Sequence, residues 1–163
     1  MVKTQTAFSA TLYTTMAKAT ISHTRSADEL RALAARFAET RPKSSRLFLF
    51  TGPLGAGKTT FIQGFAEGLG VRMAVSSPTF TLIHEHSMPH GKQKLVHIDL
   101  YRIKQENELA PVQMSDYLEN PDTLVCVEWA DKFQKLWKEY SPTYINIALG
   151  EGKNERRTRI VLP

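Results

Sequence analysis

Residues 52–59 read Gly52-Pro53-Leu54-Gly55-Ala56-Gly57-Lys58-Thr59, and the fold is decided there. The stretch fits G-x-x-x-x-G-K-[ST] at every position. On its N-terminal side, Leu47-Phe48-Leu49-Phe50 is a continuous apolar run bounded by turn residues. Such a run is the pattern of a strand buried on both faces within a parallel sheet. On the other side, Phe61, Ile62, Phe65, Ala66 and Leu69 recur at helical spacing, predicting a helix from about Lys58 to Leu69 that Gly70 stops. Strand, glycine-rich turn and helix make a phosphate cradle. Gly52, Gly55 and Gly57 allow positive φ, which turns backbone N–H groups inward, that of Ala56 among them. The helix N-terminus adds its unpaired amides and its dipole. Lys58 is then a point charge for β/γ-phosphates, the Thr59 hydroxyl a hard oxygen ligand for Mg²⁺, and Thr60 a further phosphate contact. A loop lysine in this position is expected to be exposed before nucleotide arrives, so that its loss costs little stability.

Two carboxylates complete the pattern. Leu95 to Ile98 ends in Asp99, and Leu124 to Val127 ends in Glu128. An acid at the carboxyl end of an apolar strand points into the crevice where open α/β sheets bind ligands. Asp99 and Glu128 are therefore candidates for coordinating a metal, directly or through water, and for positioning an attacking water. Trp129, next to Glu128, has three readings: stacking on a base, closing over the site, or packing in the core. His84, His86 and His90 suggest a metal site at first sight, but His84 and His86 lie two apart on a strand beside a loop, and a solvated edge is the better reading. Trp137 and Cys126 read as core.

The remaining chain builds around this centre. Ser26 followed by Glu29 is a capping-box pattern. Leu30, Leu33, Ala34 and Phe37 then mark one face of a helix that Arg41-Pro42 ends. Gly64 and Gly68, four apart within the helix after the loop, predict a close approach by another element, for which the sheet is the simplest candidate. Thr79 to Glu85 and Lys94 to Tyr101 read as an antiparallel ribbon around a Pro89/Gly91 loop. A broken helical stretch follows from Glu106 to Leu118, interrupted by Pro111. Thr123 to Val127 is a second buried strand. Ala130, Phe133, Leu136, Trp137 and Tyr140 mark another helical face, and Tyr144 to Leu149 with Thr158 to Leu162 a closing hairpin. The fold class is α/β: a single three-layer P-loop NTPase domain over 19–163, with a central, mostly parallel sheet plus antiparallel strands. Residues 1–18 read as a flexible tail, or as a start placed too far upstream with Met16 as the working start.

Composition sets outer bounds. The chain has 163 residues, with 42% apolar, enough for one hydrophobic core. No strictly apolar run reaches the roughly 20 residues of a membrane-spanning helix. One cysteine excludes an intramolecular disulfide framework and a cysteine-rich zinc site. The net charge of +5 resides in the first 50 residues, leaving the body neutral, a poor match for a general nucleic-acid coat.

Taken together, Gly52-Pro-Leu-Gly-Ala-Gly-Lys-Thr-Thr60, Ser77-Pro-Thr-Phe80, His97-Ile-Asp-Leu-Tyr-Arg102, Asp116-Tyr-Leu118 and Val127-Glu-Trp129 resemble the TsaE family in order and spacing. These are small P-loop ATPases of tRNA threonylcarbamoyladenosine synthesis. The resemblance implies ATP binding and slow hydrolysis, with Mg²⁺ on Thr59 and Glu128 and with Asp99 at the catalytic centre. It makes Ser77 to Thr79 a switch-like segment sensing the γ-phosphate. It implies TsaD and TsaB as partners, whose complex modifies adenosine-37 of tRNAs reading codons that begin with adenine. The protein's ATP cycle then resets that complex, tRNA being met only through it, in the cytoplasm and away from membranes. One departure stands out: family members usually carry a glycine shortly before the Asp-Tyr pair, where this chain has Gln113. The main competing reading is a small nucleoside or nucleotide kinase. Against it, little chain remains for an acceptor domain, and the last arginine cluster, Arg156-Arg157-x-Arg159, lies in the terminal hairpin.

Overall fold

The apolar run at 47–50 forms the middle of the sheet. In the computed structural model, which describes residues 19–71, 76–79, 81–89 and 93–163, strand β2 (Leu47–Thr51) runs parallel to β5 (Thr123–Glu128) on one side and to β6 (Thr143–Leu149) on the other. A strand with neighbours on both edges and layers on both faces needs apolar residues at every position. Phe48 and Phe50 accordingly enter one core cluster, and Leu47 and Leu49 the other.

Seven strands make one sheet in the order β1-β7-β6-β2-β5-β4-β3. The centre, β6-β2-β5-β4, is parallel, with β4 at Lys94–Asp99. Antiparallel strands flank it: β3 (Ile83–Ser87) on β4, β7 (Arg156–Val161) on β6, and β1 (Ala19–Thr24) on β7. Helices α1 (Ala27–Thr40) and α2 (Lys58–Gly68) cover one face. A 3₁₀ turn at Glu106–Val112, helix α3 (Met114–Glu119) and a second 3₁₀ segment at Ala130–Trp137 cover the other. The three-layer α/β expectation holds. Residues 1–18, with the tail and Met16, lie outside the described residues. Among the described residues no helix is long and apolar enough to cross a membrane.

Several local expectations need correction. Ala19–Thr24 is an edge strand where the sequence suggested none; most of its residues are exposed, so no apolar alternation announces it. Strand β3 starts at Ile83, not Thr79, because Leu82 takes a left-handed φ of 71°. Gly64 and Gly68 face α1, not the sheet: a Cβ on Gly64 would stand 2.2 Å from the Arg31 carbonyl oxygen, and one on Gly68 2.4 Å from that of Ala35. The two helices meet backbone to backbone along this stripe. The segment after Trp129 is 3₁₀ and breaks at Phe133 (φ −130°, ψ 51°), so Phe133, Leu136 and Trp137 reach the core without one continuous α-helical face. Ser26 caps α1 by accepting from the Glu29 N–H at 3.1 Å, while the Glu29 carboxylate reaches back one residue further, to the Arg25 N–H at 2.7 Å.

Gln113 explains the break before α3. It adopts φ 46°, ψ 50°, the left-handed conformation that glycine occupies without strain. Replacing Gln113 with glycine is expected to stabilise the fold by about 1 kcal/mol, read as a higher denaturant midpoint. A lower midpoint would show that the side chain offsets the strain.

Candidate functional site

Alternation along β4 and β5 places His97 and Asp99, with Cys126 and Glu128, on the face that α2 covers. Asp99 and Glu128 are paired across the two strands, and both are buried, 4% and 3% exposed. The loop from β2 to α2 arrives beside them. Gly52, Gly55 and Gly57 have φ of 137°, 76° and 102°. Gly57 is the N-cap of α2, so the first helical residues, Lys58, Thr59 and Thr60, present their amides at the loop mouth. A Cβ on Gly52 would meet the Ile147 carbonyl oxygen at 2.1 Å, so the loop lies directly on the β6 backbone.

Two hydroxyl–carboxylate groups flank this mouth. The Thr59 hydroxyl donates to Glu128 Oε1 at 2.7 Å, and His97 Nε2 lies 2.8 Å from the same oxygen. The Thr79 and Ser77 hydroxyls donate to Asp99 Oδ2 at 2.5 and 3.2 Å, and the Tyr101 N–H to Asp99 Oδ1 at 2.9 Å. Lys132 fixes the turn after Asp99 by donating to the carbonyls of Leu100, Tyr101 and Ile103.

Lys58 corrects the expectation of an exposed loop lysine: its residue is only 4% exposed. The side chain folds back on its own loop, with Nζ donating to the Gly52 and Pro53 carbonyls at 2.9 and 3.0 Å. It also sits 3.7 Å from the centroid of the Trp129 ring. Burial lowers the Lys58 pKa, while Glu128, Asp99 and Asp131 pull it back up. Of the three readings of Trp129, the ring combines a partly buried packing position with a place over the phosphate-loop lysine. Its backbone is left-handed, φ 60°.

The histidine expectation holds in part. Strand β3 is the sheet edge, but His86 is buried rather than solvated, and burial lowers its pKa. His84 is half-buried with Nδ1 3.3 Å from the Ser76 carbonyl oxygen; His90 lies outside the described residues. Trp137 is core, and its indole N–H donates to the Ala130 carbonyl at 2.8 Å. Cys126 is fully buried, and burial pushes its thiol pKa far up, so it is inert.

Arg156 is a residue whose position the sequence concealed. Although it lies on β7, its guanidinium donates to the Ala56 and Gly55 carbonyls at 3.0 and 3.1 Å, holding the outer side of the phosphate loop. The terminal arginine cluster therefore does reach the loop, through this one member; Arg157 and Arg159 are exposed. No local signal marks a contact across 100 residues of chain.

With this geometry established, known proteins give it a context. The family model described as "Threonylcarbamoyl adenosine biosynthesis protein TsaE" matches residues 24–159. The tRNA threonylcarbamoyladenosine biosynthesis protein TsaE of Nostoc sp. is 36% identical over 121 residues, covering 72% of this chain and 70% of that protein. Its namesake in Bacillus subtilis is 43% identical over 88 residues, 54% of this chain and 52% of that one. The crystal structure of Bacillus subtilis YdiB superposes with a TM-score of 0.72 at 30% identity, covering 91% of this chain and 88% of that one. A family match across nearly all of the sheet, a whole-domain superposition and a phosphate loop flanked by two strand-end acids agree: the chain belongs to the TsaE family of threonylcarbamoyl adenosine biosynthesis proteins.

Proposed function

We propose that this protein binds ATP through residues 52–60 and hydrolyses it slowly with Mg²⁺. We further propose that the cycle resets a TsaD–TsaB complex during threonylcarbamoylation of adenosine-37 in tRNAs reading codons that begin with adenine. The observation that carries the reading is the Thr59 hydroxyl set 2.7 Å from Glu128 Oε1 at the start of α2.

The donor chemistry fits the metal. A hydroxyl and a carboxylate are hard oxygen ligands, and Asp99 is the neighbouring carboxylate in register. Among the described residues no group of three or more His, Cys, Asp or Glu converges on one point. That suits Mg²⁺, which prefers one or two protein groups together with phosphates and water. Thr59 and Glu128 would hold it, Asp99 alongside, and when bound it would neutralise charge on the phosphates.

The chain's own groups do the rest. Amides of the loop and of the first turn of α2 face the phosphates. Lys58 exchanges the Gly52 and Pro53 carbonyls for phosphate oxygens, a stronger charge-assisted contact. Asp99 orients the attacking water. Its hold on Ser77 and Thr79 ties that segment to the site, so that the segment reports which nucleotide is bound. The Trp129 ring lies against the lysine ammonium.

Glu128→Gln keeps the shape and removes the charge. Hydrolysis is expected to fall on the order of 10²-fold while ATP still binds, and cells relying on this variant should fail to sustain the tRNA modification. Full multi-turnover modification would reduce the role to nucleotide-gated binding. Rapid phosphoryl transfer to a nucleoside panel by the parent would support the kinase reading instead.

A further inference from the structure

We infer that His97 is a positioning residue for Glu128, setting the direction in which that carboxylate offers its oxygens. The inference rests on the reading of Glu128 as a metal-side acid. His97 is 0% exposed and sits on β4 opposite Cys126 of β5, two residues before Asp99. Its Nε2 lies 2.8 Å from Glu128 Oε1. Its Nδ1 is buried with no partner among the described residues.

These facts fix the sense of the hydrogen bond. A proton on Nδ1 would bury an unanswered N–H, whereas a bare Nδ1 leaves only an unmatched lone pair. The ring therefore donates from Nε2 to the carboxylate. Two donors, the imidazole and the Thr59 hydroxyl, then converge on a single oxygen of Glu128. A carboxylate held by one contact can still rotate about its terminal torsion, which is broad and shallow. Held from β4 and from α2 at once, it cannot turn without breaking a buried bond. Among the described residues the imidazole makes no other hydrogen bond, so its polar edge is turned to Glu128. A purely space-filling role would be served as well by an apolar ring.

The test compares three substitutions in the full chain. Phenylalanine keeps the ring without the donor. Glutamine places an amide N–H near the Nε2 position, and asparagine places one near Nδ1 instead. ATP affinity is measured by calorimetry in Mg²⁺ and again in EDTA, alongside steady-state hydrolysis and thermal unfolding. His97→Phe should lose roughly 10- to 100-fold in kcat and in the Mg²⁺-dependent gain in affinity, the usual effect of removing a partner that orients a metal ligand. Affinity in EDTA should stay within about twofold of the parent on the same argument. His97→Gln should recover most of the loss, and His97→Asn should not.

Equal effects in Mg²⁺ and EDTA would make His97 merely structural and overturn the inference. So would a His97→Phe variant indistinguishable from the parent, or asparagine rescuing as well as glutamine. If His97→Phe does not fold, the glutamine–asparagine pair decides alone. A parent protein whose ATP affinity ignores Mg²⁺ would instead sink the reading of the site itself, a separate outcome.

Discussion

Replacing Lys58 with alanine is expected to lower ATP hydrolysis roughly 10²- to 10³-fold, as loss of one preorganised donor to developing charge does. The sequence alone suggested that such a variant would keep the parent's stability. The structure changes that expectation. The ammonium holds two loop carbonyls and lies against the Trp129 ring, with two buried carboxylates nearby. Alanine removes these contacts and the positive charge that Asp99 and Glu128 feel nearby. Relief of a buried charge offsets part of the loss. The net cost is about 1–2 kcal/mol, or a drop in Tm of roughly 2–8 °C for a domain of this size. Lys58→Met, which keeps the methylene packing, should be equally inactive and less destabilised. Hydrolysis at the parent rate in either variant would remove Lys58 from the chemistry.

Gly64→Ala should be the most destabilising single-methyl change on the α1–α2 interface. In an exposed helix, alanine in place of glycine gains about 1 kcal/mol. Here the new Cβ would stand 2.2 Å from the Arg31 carbonyl oxygen and 2.6 Å from its Cα, both backbone atoms that move only with the helix. Overpacking of that kind costs about 3 kcal/mol, so it wins by about 2 kcal/mol after the propensity gain is subtracted. Thermal unfolding should fall by roughly 4–8 °C. Gly55→Ala is the informative contrast, because nothing lies within 4 Å of its would-be Cβ and only its φ of 76° opposes the change. A Gly64→Ala variant as stable as the parent would mean that α1 slides freely on α2.

The parts of this molecule legible in its sequence are those set by local pattern. A four-residue apolar run bounded by turn residues suits a strand inside a layered sheet, so β2 and β5 were visible, and with them the acid at the end of β5. The glycine spacing of the phosphate loop needs no tertiary knowledge, and its positive φ angles follow. What escaped depends on partners distant in the chain. Edge strand β1 is held by β7 and carries little apolar signal of its own. The Gly64 stripe announced a close neighbour without naming α1. His86 read as solvated because its burial comes from packing that a two-residue spacing does not encode. Gln113 was noticed as a departure, and its left-handed backbone shows why glycine suits that place. Lys58 and Arg156 were misjudged for one reason: the charge of a side chain indicates what it can bind, while its surroundings determine which carbonyls it reaches first.

The strand order has a consequence for biosynthesis. Strand β2 and the phosphate loop leave the ribosome before both strands that flank β2, which are β5 and β6. The arginine that braces the loop comes later still. Until those segments are translated, the nascent polypeptide carries an oily strand without its flanking strands and a glycine-rich loop without its buttress. The sheet around β2 and the brace on its loop are thus complete only once β5, β6 and β7 have all been translated.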